Sequence, residues 1–198
     1  MPTHLSRAVG RIALVAGLIA ISLPTMAADN EFAAPLTELG NTILRNIADN
    51  PLLVAAVAAQ NALTGLYDQQ KIEALDQQWR AEVAAADRPL IEATLATAAS
   101  RWLQEAQDAS GGVFTEIFVM DARGLNVAQS TVTSDYWQGD EDKFTASYGA
   151  GAAAVHLGEI EQDESTQTFQ SQVSITIVDP ATGTPIGAIT AGIDLSMI

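Results

Sequence analysis

The spacing of apolar residues divides the chain into a helical first part and a sheet-forming second part. Between residues 32 and about 109, leucine, isoleucine and tryptophan recur every three or four positions, which is the period of a helix with one buried face. Residues 49–51 and 87–89 interrupt this stripe, because each segment ends in a proline that fits best in the first turn of a new helix. Beyond residue 89 the period continues without a break to about Gln107, which predicts one helix up to the glycines at 111 and 112.

After residue 112 the pattern changes to that of strands and turns. The strand candidates are residues 113–120, 125–130, 155–160, 169–177 and 186–193. Turn sequences lie at 121–124 and 179–183, and a short helix is expected from Glu141 to about Tyr148. Five strands that are mostly joined by turns predict an antiparallel sheet, and the helical part must cover one of its faces.

The first 27 residues have the pattern of a cleaved secretory signal. Arg7 and Arg11 precede an uncharged apolar run at 12–23, and residues 25–27 are small enough for a signal peptidase site. The apolar run is shorter than the roughly 20 residues that a spanning helix needs. We therefore expect cleavage after Ala27, a periplasmic location, and no stable membrane span in the mature protein.

The charge of the remaining 171 of the 198 residues restricts the partners. The signal segment holds two of the nine basic residues and none of the 24 acidic residues, so its removal changes the formal net charge from −15 to −17. Such a chain repels nucleic acid and anionic lipid headgroups, which argues against both as partners. The sequence contains no cysteine, so disulfides and thiol chemistry are excluded.

Little in the sequence indicates catalysis, a metal or a cofactor. His156 is the only histidine beyond the signal segment, which excludes a histidine-based metal cluster, and no G-x-S-x-G motif presents a nucleophile. The carboxylates at 135 and 140–142 lack the alternating ligand spacing of a calcium loop. The acidic stretch at 159–164 could attract calcium loosely, but it is better explained as a solvated hairpin. The glycines at 149 and 151 do not make a nucleotide-binding loop. We therefore expect no enzyme activity, no metal site and no cofactor.

The segment 133–144, TSDYWQGDEDKF, combines two adjacent aromatic rings with a run of carboxylates. One interpretation makes Tyr136 and Trp137 the walls of a small pocket, with Asp135, Asp140 or Glu141 holding a ligand ammonium group. The other makes Trp137 part of the core and the acids the first turn of the short helix, where the helix dipole favours them. The residues alone favour the second interpretation, although both can hold at once.

The order of these motifs resembles that of single Cache domains, the extracytoplasmic ligand-binding domains of bacterial sensors. The resemblance is carried by residues 117–130 (IFVMDARGLNVAQS), 135–141 (DYWQGDE), 172–194 (QVSITIVDPATGTPIGAITAGID) and 50–61 (NPLLVAAVAAQN). It implies an α/β (α+β) fold, in which a PAS-like antiparallel five-stranded sheet lies behind long N-terminal helices. Residues 28–110 would form the helical part and 111–198 the sheet part of one structural domain, 28–198.

In that family the loop after the second strand lends aromatic and polar side chains to a pocket for amino acids, amines or carboxylates. The resemblance therefore implies a ligand site, and with it we favour the pocket over a purely structural loop. The candidate ligand-binding residues are Arg101, Asp135, Tyr136, Trp137, Asp140, Glu141 and Tyr148. For Arg101 and Tyr148 the alternatives of a surface arginine and a core tyrosine stay open.

These observations predict a periplasmic sensor domain that binds a small polar or amine-bearing metabolite without transforming it. The sequence reaches Ile198 directly after the last strand, without a second span or an output domain. We therefore expect a separate membrane sensor kinase, cyclase or chemoreceptor as the signalling partner. The alternative is an interaction module that binds no ligand and docks on a membrane receptor through an exposed helical face.

Overall fold

The computed structural model describes residues 31–162 and 168–198. The predicted signal segment, residues 1–27, and the end of the acidic stretch at 163–164 lie outside the described residues. Within those two ranges, no helix is both long enough and apolar enough to cross a membrane.

The helical part consists of six α-helices and one π-helical turn within the described residues. Its elements are α1 (Ala33–Leu39), a π-helical turn (Gly40–Leu44), α2 (Arg45–Ala48), α3 (Pro51–Thr64), α4 (Gln69–Val83), α5 (Pro89–Leu95) and α6 (Ala98–Ala109). Asn50 and Asp68 accept backbone N–H groups at the starts of α3 and α4, so both helices begin where a capping residue stands. The prediction of one helix from residue 89 to 107 was wrong, because the Thr97 hydroxyl accepts the Ser100 N–H and begins a new helix there.

The sheet part is a single antiparallel sheet. Its strands are β1 (Phe114–Asp121), β2 (Asn126–Gln129), β3 (Val155–Leu157), β4 (Glu161–Gln162), β5 (Phe169–Val178) and β6 (Pro185–Asp194). They lie in the order β2-β1-β6-β5-β3, and β4 pairs with β5. With the two-residue β4 left aside, five strands follow the 2-1-5-4-3 order of a PAS-like sheet, so the α/β, PAS-like fold class predicted from the sequence is confirmed.

Two local predictions were wrong in their bounds. The strand expected at 155–160 ends at Leu157, and the chain pairs again only at β4, opposite Phe169 and Gln170. The short helix expected at 141–148 is α7 (Asp142–Thr145), which is followed by a 3₁₀ turn at Tyr148–Ala150.

The main core lies between the helices and one face of the sheet. Alternate residues of the three long strands point into it: Ile117 and Val119 of β1, Val173, Ile175 and Ile177 of β5, and Ile189, Ala191 and Ile193 of β6. They pack against leucines and valines of α1, α3 and α6. Gly40 packs on this face, where an added Cβ would come within 2.9 Å of a Val173 methyl group, so the missing side chain lets the π-helical turn lie close to β5. The predicted helical cover of one sheet face is confirmed.

Helix α5 begins with help from a carboxylate of the helix before it. Its N-cap residue, Arg88, makes no capping side-chain bond, whereas the Glu82 carboxylate accepts the N–H groups of Leu90 at 2.8 Å and Ile91 at 3.0 Å. Burial raises the pKa of Glu82, but hydrogen bonds from Ile91, Gln78 and Leu90 together lower it below its ordinary value.

Replacing Glu82 by Gln should therefore destabilise the protein in a pH-dependent manner. A group whose folded-state pKa is lowered contributes stability above its unfolded pKa of about 4.5, and that contribution is lost as the pH falls through the folded value. At pH 7 the loss should be about 1 kcal/mol in urea unfolding, because the Gln amide oxygen can still accept both N–H groups and only the charge assistance of these bonds is lost. The difference from the native chain should shrink near pH 3; a difference independent of pH would contradict this account.

Candidate functional site

The second face of the sheet is only partly filled. Phe118 and Met120 of β1 and Ala188 of β6 form a small apolar cluster with Phe144 of α7 and Tyr148. Next to this cluster the face carries polar side chains whose hydroxyl groups are hydrogen-bonded. The Ser174 and Thr190 hydroxyls share a hydrogen bond of 2.9 Å, and the Thr176 hydroxyl donates to the Gly151 carbonyl at 2.7 Å. Helix α7 and the turn after it therefore close this part of the face.

An open cleft lies beside α7, where β3 ends and the chain runs toward β4. A wider part of about 640 Å³ is lined by Asp140, Glu141, Asp142, Lys143, His156, Leu157, Gly158, Glu159, Glu161 and Gln172. An adjoining recess of about 210 Å³ shares six of these residues and adds Gln170 and Ser171 from β5. We call this space the acidic cleft.

The acidic cleft has an excess of negative charge. Five of its lining side chains are carboxylates: Asp140, Glu141, Asp142, Glu159 and Glu161. Its one lysine, Lys143, is already engaged, because its ammonium group lies 2.9 Å from Glu141, 3.3 Å from the Gln138 amide oxygen and 5.6 Å from the centre of the Phe118 ring. Since carboxylates with low-dielectric walls around them attract cations, the cleft suits a positively charged group.

The polar floor of the acidic cleft is held in place by the sheet. The Ser171 hydroxyl donates to the Gly158 carbonyl at 2.9 Å, and the Gly158 N–H donates to the Gln172 carbonyl at 2.7 Å. The Gln172 side-chain amide donates to the Glu116 carboxylate at 2.8 Å. These bonds fix the backbone after β3 against β5. They also orient a sixth carboxylate, that of Glu116 on β1, which lies two strands from β5 with β6 between them.

The two aromatic rings of the segment 133–144 belong to a core cluster. Tyr136 is buried and stacks on Trp79 of α4, with ring centroids 5.2 Å apart. Trp137 is half-buried against the same cluster, and its indole N–H donates to the Arg123 carbonyl at 2.8 Å. Neither ring is among the residues that line the acidic cleft. The rings hold the segment on the protein, and the carboxylates that follow them reach the cleft.

Helix α4 fixes the backbone of this segment with a buried carboxylate. Asp76 accepts the N–H groups of both Tyr136 and Trp137 at 3.0 Å. Its other oxygen binds Arg80, which also reaches Asp135 at 2.8 Å. Helix α4 therefore holds this segment in two ways. Asp76 binds the backbone N–H groups of Tyr136 and Trp137, and the ring of Trp79 stacks on the ring of Tyr136.

The burial of Tyr136 predicts an unusual tyrosine titration. Burial, followed by the nearby Asp121 and Tyr67, raises the pKa of Tyr136 to about 12 from its ordinary value of 10. Because the folded-state pKa is raised, the neutral phenol stabilises the fold fully below pH 10, and this stability is lost as the pH rises through 12. Absorbance should show one phenol ionising near pH 12, and Tyr136→Phe should remove that step. A step that survives the substitution would contradict the assignment.

The other candidates from the sequence occupy different positions. Asp140 and Glu141 line the acidic cleft, and Tyr148 stacks on Phe144 beside it, with ring centroids 5.0 Å apart. Asp135 is paired with Arg80. Arg101 lies exposed on α6, where its guanidinium donates to the Ala96 carbonyl. The structure thus brings two of the seven candidates into the cleft itself.

Several cleft residues were absent from the candidate set. Gln172 lies on the polar side of the alternating strand β5, a side that the sequence pattern alone assigns to solvent. Glu159 and Glu161 belong to the acidic stretch interpreted as a solvated hairpin. The signal that could have found them is charge: this stretch and residues 140–142 are both acidic, and PAS-like topology brings both beside β5. In the described part of the chain, no group of three or more histidine or acidic side chains is arranged to hold a metal ion.

The strand order defines the class of fold as PAS-like. No protein-family model matches the sequence, and no curated protein matches it. Solved structures do. The sensor domain of the Vibrio cholerae histidine kinase DctB matches with a TM-score of 0.39 and 14% identity, over 84% of this chain and 58% of that one.

Two further solved structures, a chemoreceptor domain and a histidine kinase domain, also match. The ligand-binding domain of the Pseudomonas aeruginosa amino acid chemoreceptor PctC, in complex with GABA, matches with a TM-score of 0.40 and 16% identity, over 82% of this chain and 62% of that one. The extracellular domain of the putative histidine kinase vpHK1S-Z8 matches with a TM-score of 0.45 and 9% identity, over 82% of this chain and 54% of that one. The chain thus spans somewhat more than half the length of the three chains that it matches.

Proposed function

We propose that this protein is a sensor domain that acts outside the cytoplasm and binds a small amine-bearing metabolite in the acidic cleft. Binding is non-enzymatic, and a separate membrane protein, such as a sensor kinase, cyclase or chemoreceptor, relays the signal. The observation that carries the proposal is the excess of carboxylates around an open space between α7 and β5.

The dimensions and chemistry of the cleft support a ligand of this kind. A space of about 640 Å³ lies within the range of small-molecule sites, and the recess of about 210 Å³ suits one end of such a molecule. An ammonium group offers three donors to the surrounding carboxylates, and such charge-assisted bonds are stronger than neutral ones. The backbone and amide groups at Gly158 and Gln172 add neutral partners for the rest of the ligand.

The aromatic pair has a positioning role in this proposal. Tyr136 and Trp137 are anchored on α4 three to five residues before Asp140 and Glu141, so the acids enter the cleft from a fixed backbone. Because the backbone that carries Asp140 and Glu141 is already ordered, less conformational entropy is lost when a ligand binds to these two acids. The sequence-based assignment of Asp140 and Glu141 as ligand contacts is kept, and Glu159, Glu161 and Gln172 are added.

A thermal-shift comparison tests the proposal. The probes are small amines and carboxylates matched in carbon number. Amines should raise the melting temperature, by several degrees at about 100 times Kd, and the matched carboxylates should not. Neutralising two cleft acids together, Glu159→Gln with Glu161→Gln, should abolish the amine shift.

The matched control is Glu73→Gln, which removes one exposed carboxylate from α4 and should leave the amine shift unchanged. Shifts of equal size with amines and carboxylates would contradict the proposal. So would an amine shift that survives neutralisation of Glu159 and Glu161, since the cleft would then not be the site.

A further inference from the structure

The outer face of helix α3 is entirely apolar, although it is exposed to solvent. Every residue of this helix with high exposure is apolar: Pro51, Leu52, Ala55, Ala58, Ala59, Ala62 and Leu63. Leu66 directly follows the helix and is 88% exposed, while Leu63 is 63% exposed. These eight residues are called the α3 face. No charged residue occurs anywhere in α3.

This composition differs from that of a helix whose outer side meets only water. A surface helix normally carries charged and polar residues opposite its buried stripe, and one that is apolar all round is normally covered. Helix α4 of the same chain follows the rule, since its exposed positions include Gln70, Lys71, Glu73, Gln77 and Arg80. The α3 face is therefore an exposed apolar patch of the kind that marks interaction surfaces.

An apolar groove with an acidic rim continues the α3 face on one side. It encloses about 270 Å³ and is lined by Asp49, Pro51, Val54, Ala55, Ala58, Asp179, Pro180 and Ile186. Its two charged residues, Asp49 before α3 and Asp179 at the turn between β5 and β6, are both carboxylates. A partner that fills this groove must bring an apolar side chain to its centre and positive charge to its rim.

We infer that the α3 face and its groove dock a helical segment of another protein, with leucine-like apolar side chains on one side and lysine or arginine beside them. The small alanines allow a helix to approach closely, and the exposed leucines supply apolar contact at both ends. The complementary charges follow from the rim carboxylates and from the net charge of −15. In the proposed function, this surface is where the membrane signalling partner binds.

A second copy of the chain fits the same surface less well. Pairing two α3 faces around a two-fold axis would bring two rims of Asp49 and Asp179 and two strongly acidic bodies together. Like charges at the edge of an interface oppose association, whereas a basic partner removes that opposition. The charge distribution therefore favours a partner of a different kind.

Two designed helical peptides of about 18 residues, roughly 27 Å long, test the inference with the full chain. Both carry the same leucine face; lysines flank it in one and glutamates in the other. Fluorescence anisotropy should show binding of the lysine peptide, at least about tenfold tighter than of the glutamate peptide. No amine ligand is added, so failure of the acidic cleft as a ligand site would leave this measurement unaffected.

Added acid on the α3 face separates apolar docking from general attraction between opposite charges. Ala59→Asp and Leu63→Asp make the protein more acidic, so attraction alone predicts tighter binding of the lysine peptide. Docking on the apolar face predicts the opposite, a loss of at least about tenfold. Ala81→Asp adds the same charge at an exposed position of α4 and should cause no loss. Circular dichroism should show unchanged folding in all three variants, because these positions are exposed.

Three results would overturn the inference. The first is no binding of the lysine peptide, or equal binding of both peptides. The second is a lysine peptide that binds the two α3 variants as tightly as the native chain. The third is a dimer in sedimentation that Leu63→Asp dissociates, which would assign the α3 face to a second copy of the chain.

Discussion

Replacing Trp79 by Ala should lower the free energy of unfolding by about 3–5 kcal/mol, as for other fully buried aromatic residues. Trp79 is completely buried on α4, where it packs with Ile72, Ile91 and Leu125 and stacks on Tyr136. Its removal leaves a large cavity between the helices and the segment 133–144, and it takes away the indole N–H that bonds the Thr133 carbonyl at 2.8 Å. Urea unfolding followed by circular dichroism measures the loss.

Trp79→Phe is the matched control for this result. It keeps an aromatic ring against Tyr136 and removes mainly the hydrogen bond to Thr133, so the expected loss is about 1–2 kcal/mol. A loss in Trp79→Ala no larger than in Trp79→Phe would mean that the ring does not hold the segment. The role assigned here to the cluster around Tyr136 would then be wrong.

Replacing Asp76 by Ala should have the second largest effect, about 2–4 kcal/mol, because it leaves two N–H groups without their acceptor. Those groups belong to Tyr136 and Trp137, the residues that carry the chain toward Asp140 and Glu141. The substitution also leaves Arg80 with Asp135 as its remaining carboxylate. We expect both lower stability in urea and a weaker amine-induced thermal shift, because the backbone at Tyr136 and Trp137, which precedes Asp140 and Glu141, loses its hydrogen bonds to α4.

Asp76→Asn separates the hydrogen bonds from the charge. The amide oxygen can still accept both N–H groups, whereas the ion pair with the exposed Arg80 is lost, and solvent screening makes the contribution of such exposed pairs small. The amine-induced shift should then stay close to that of the native chain. Equal losses in the Ala and Asn variants would show that the charge of Asp76, and not its two backbone bonds, stabilises the segment.

The spacing of apolar residues predicted the helices and strands of this fold because each element buries one face, which places its apolar residues at regular intervals along the sequence. Val173, Ile175 and Ile177 face the apolar main core, whereas their neighbours Ser174 and Thr176 are buried on the other face, where their hydroxyls are hydrogen-bonded. The break at Thr97 escaped prediction because the apolar period runs through it, and only the side-chain bond to Ser100 marks the new start. Strand β4 escaped because two exposed residues, Glu161 and Gln162, have no pattern of their own and pair only because β5 is beside them.

The site was harder to predict, because its residues come from segments that are distant in sequence. The pair Tyr136 and Trp137 attracted attention as adjacent rings, yet their burial depends on Trp79, which lies more than 50 residues earlier. The carboxylates after the rings were identified, whereas Glu159 and Glu161 were assigned to a solvated hairpin. Local sequence shows which residues are charged, but only the pairing of β3 and β4 with β5 shows that the two acidic segments share one cleft.

The position of a bound amine tests the central claim most directly. NMR titration of the protein, with the amine that gives the largest thermal shift, reports where the molecule binds. We expect the largest chemical-shift changes at the backbone amides of Gly158, Glu159, Ser171 and Gln172 around the acidic cleft. Changes centred on Tyr136 and Trp137, or no change with any amine of the set, would contradict the claim that the cleft between α7 and β5 is the ligand site.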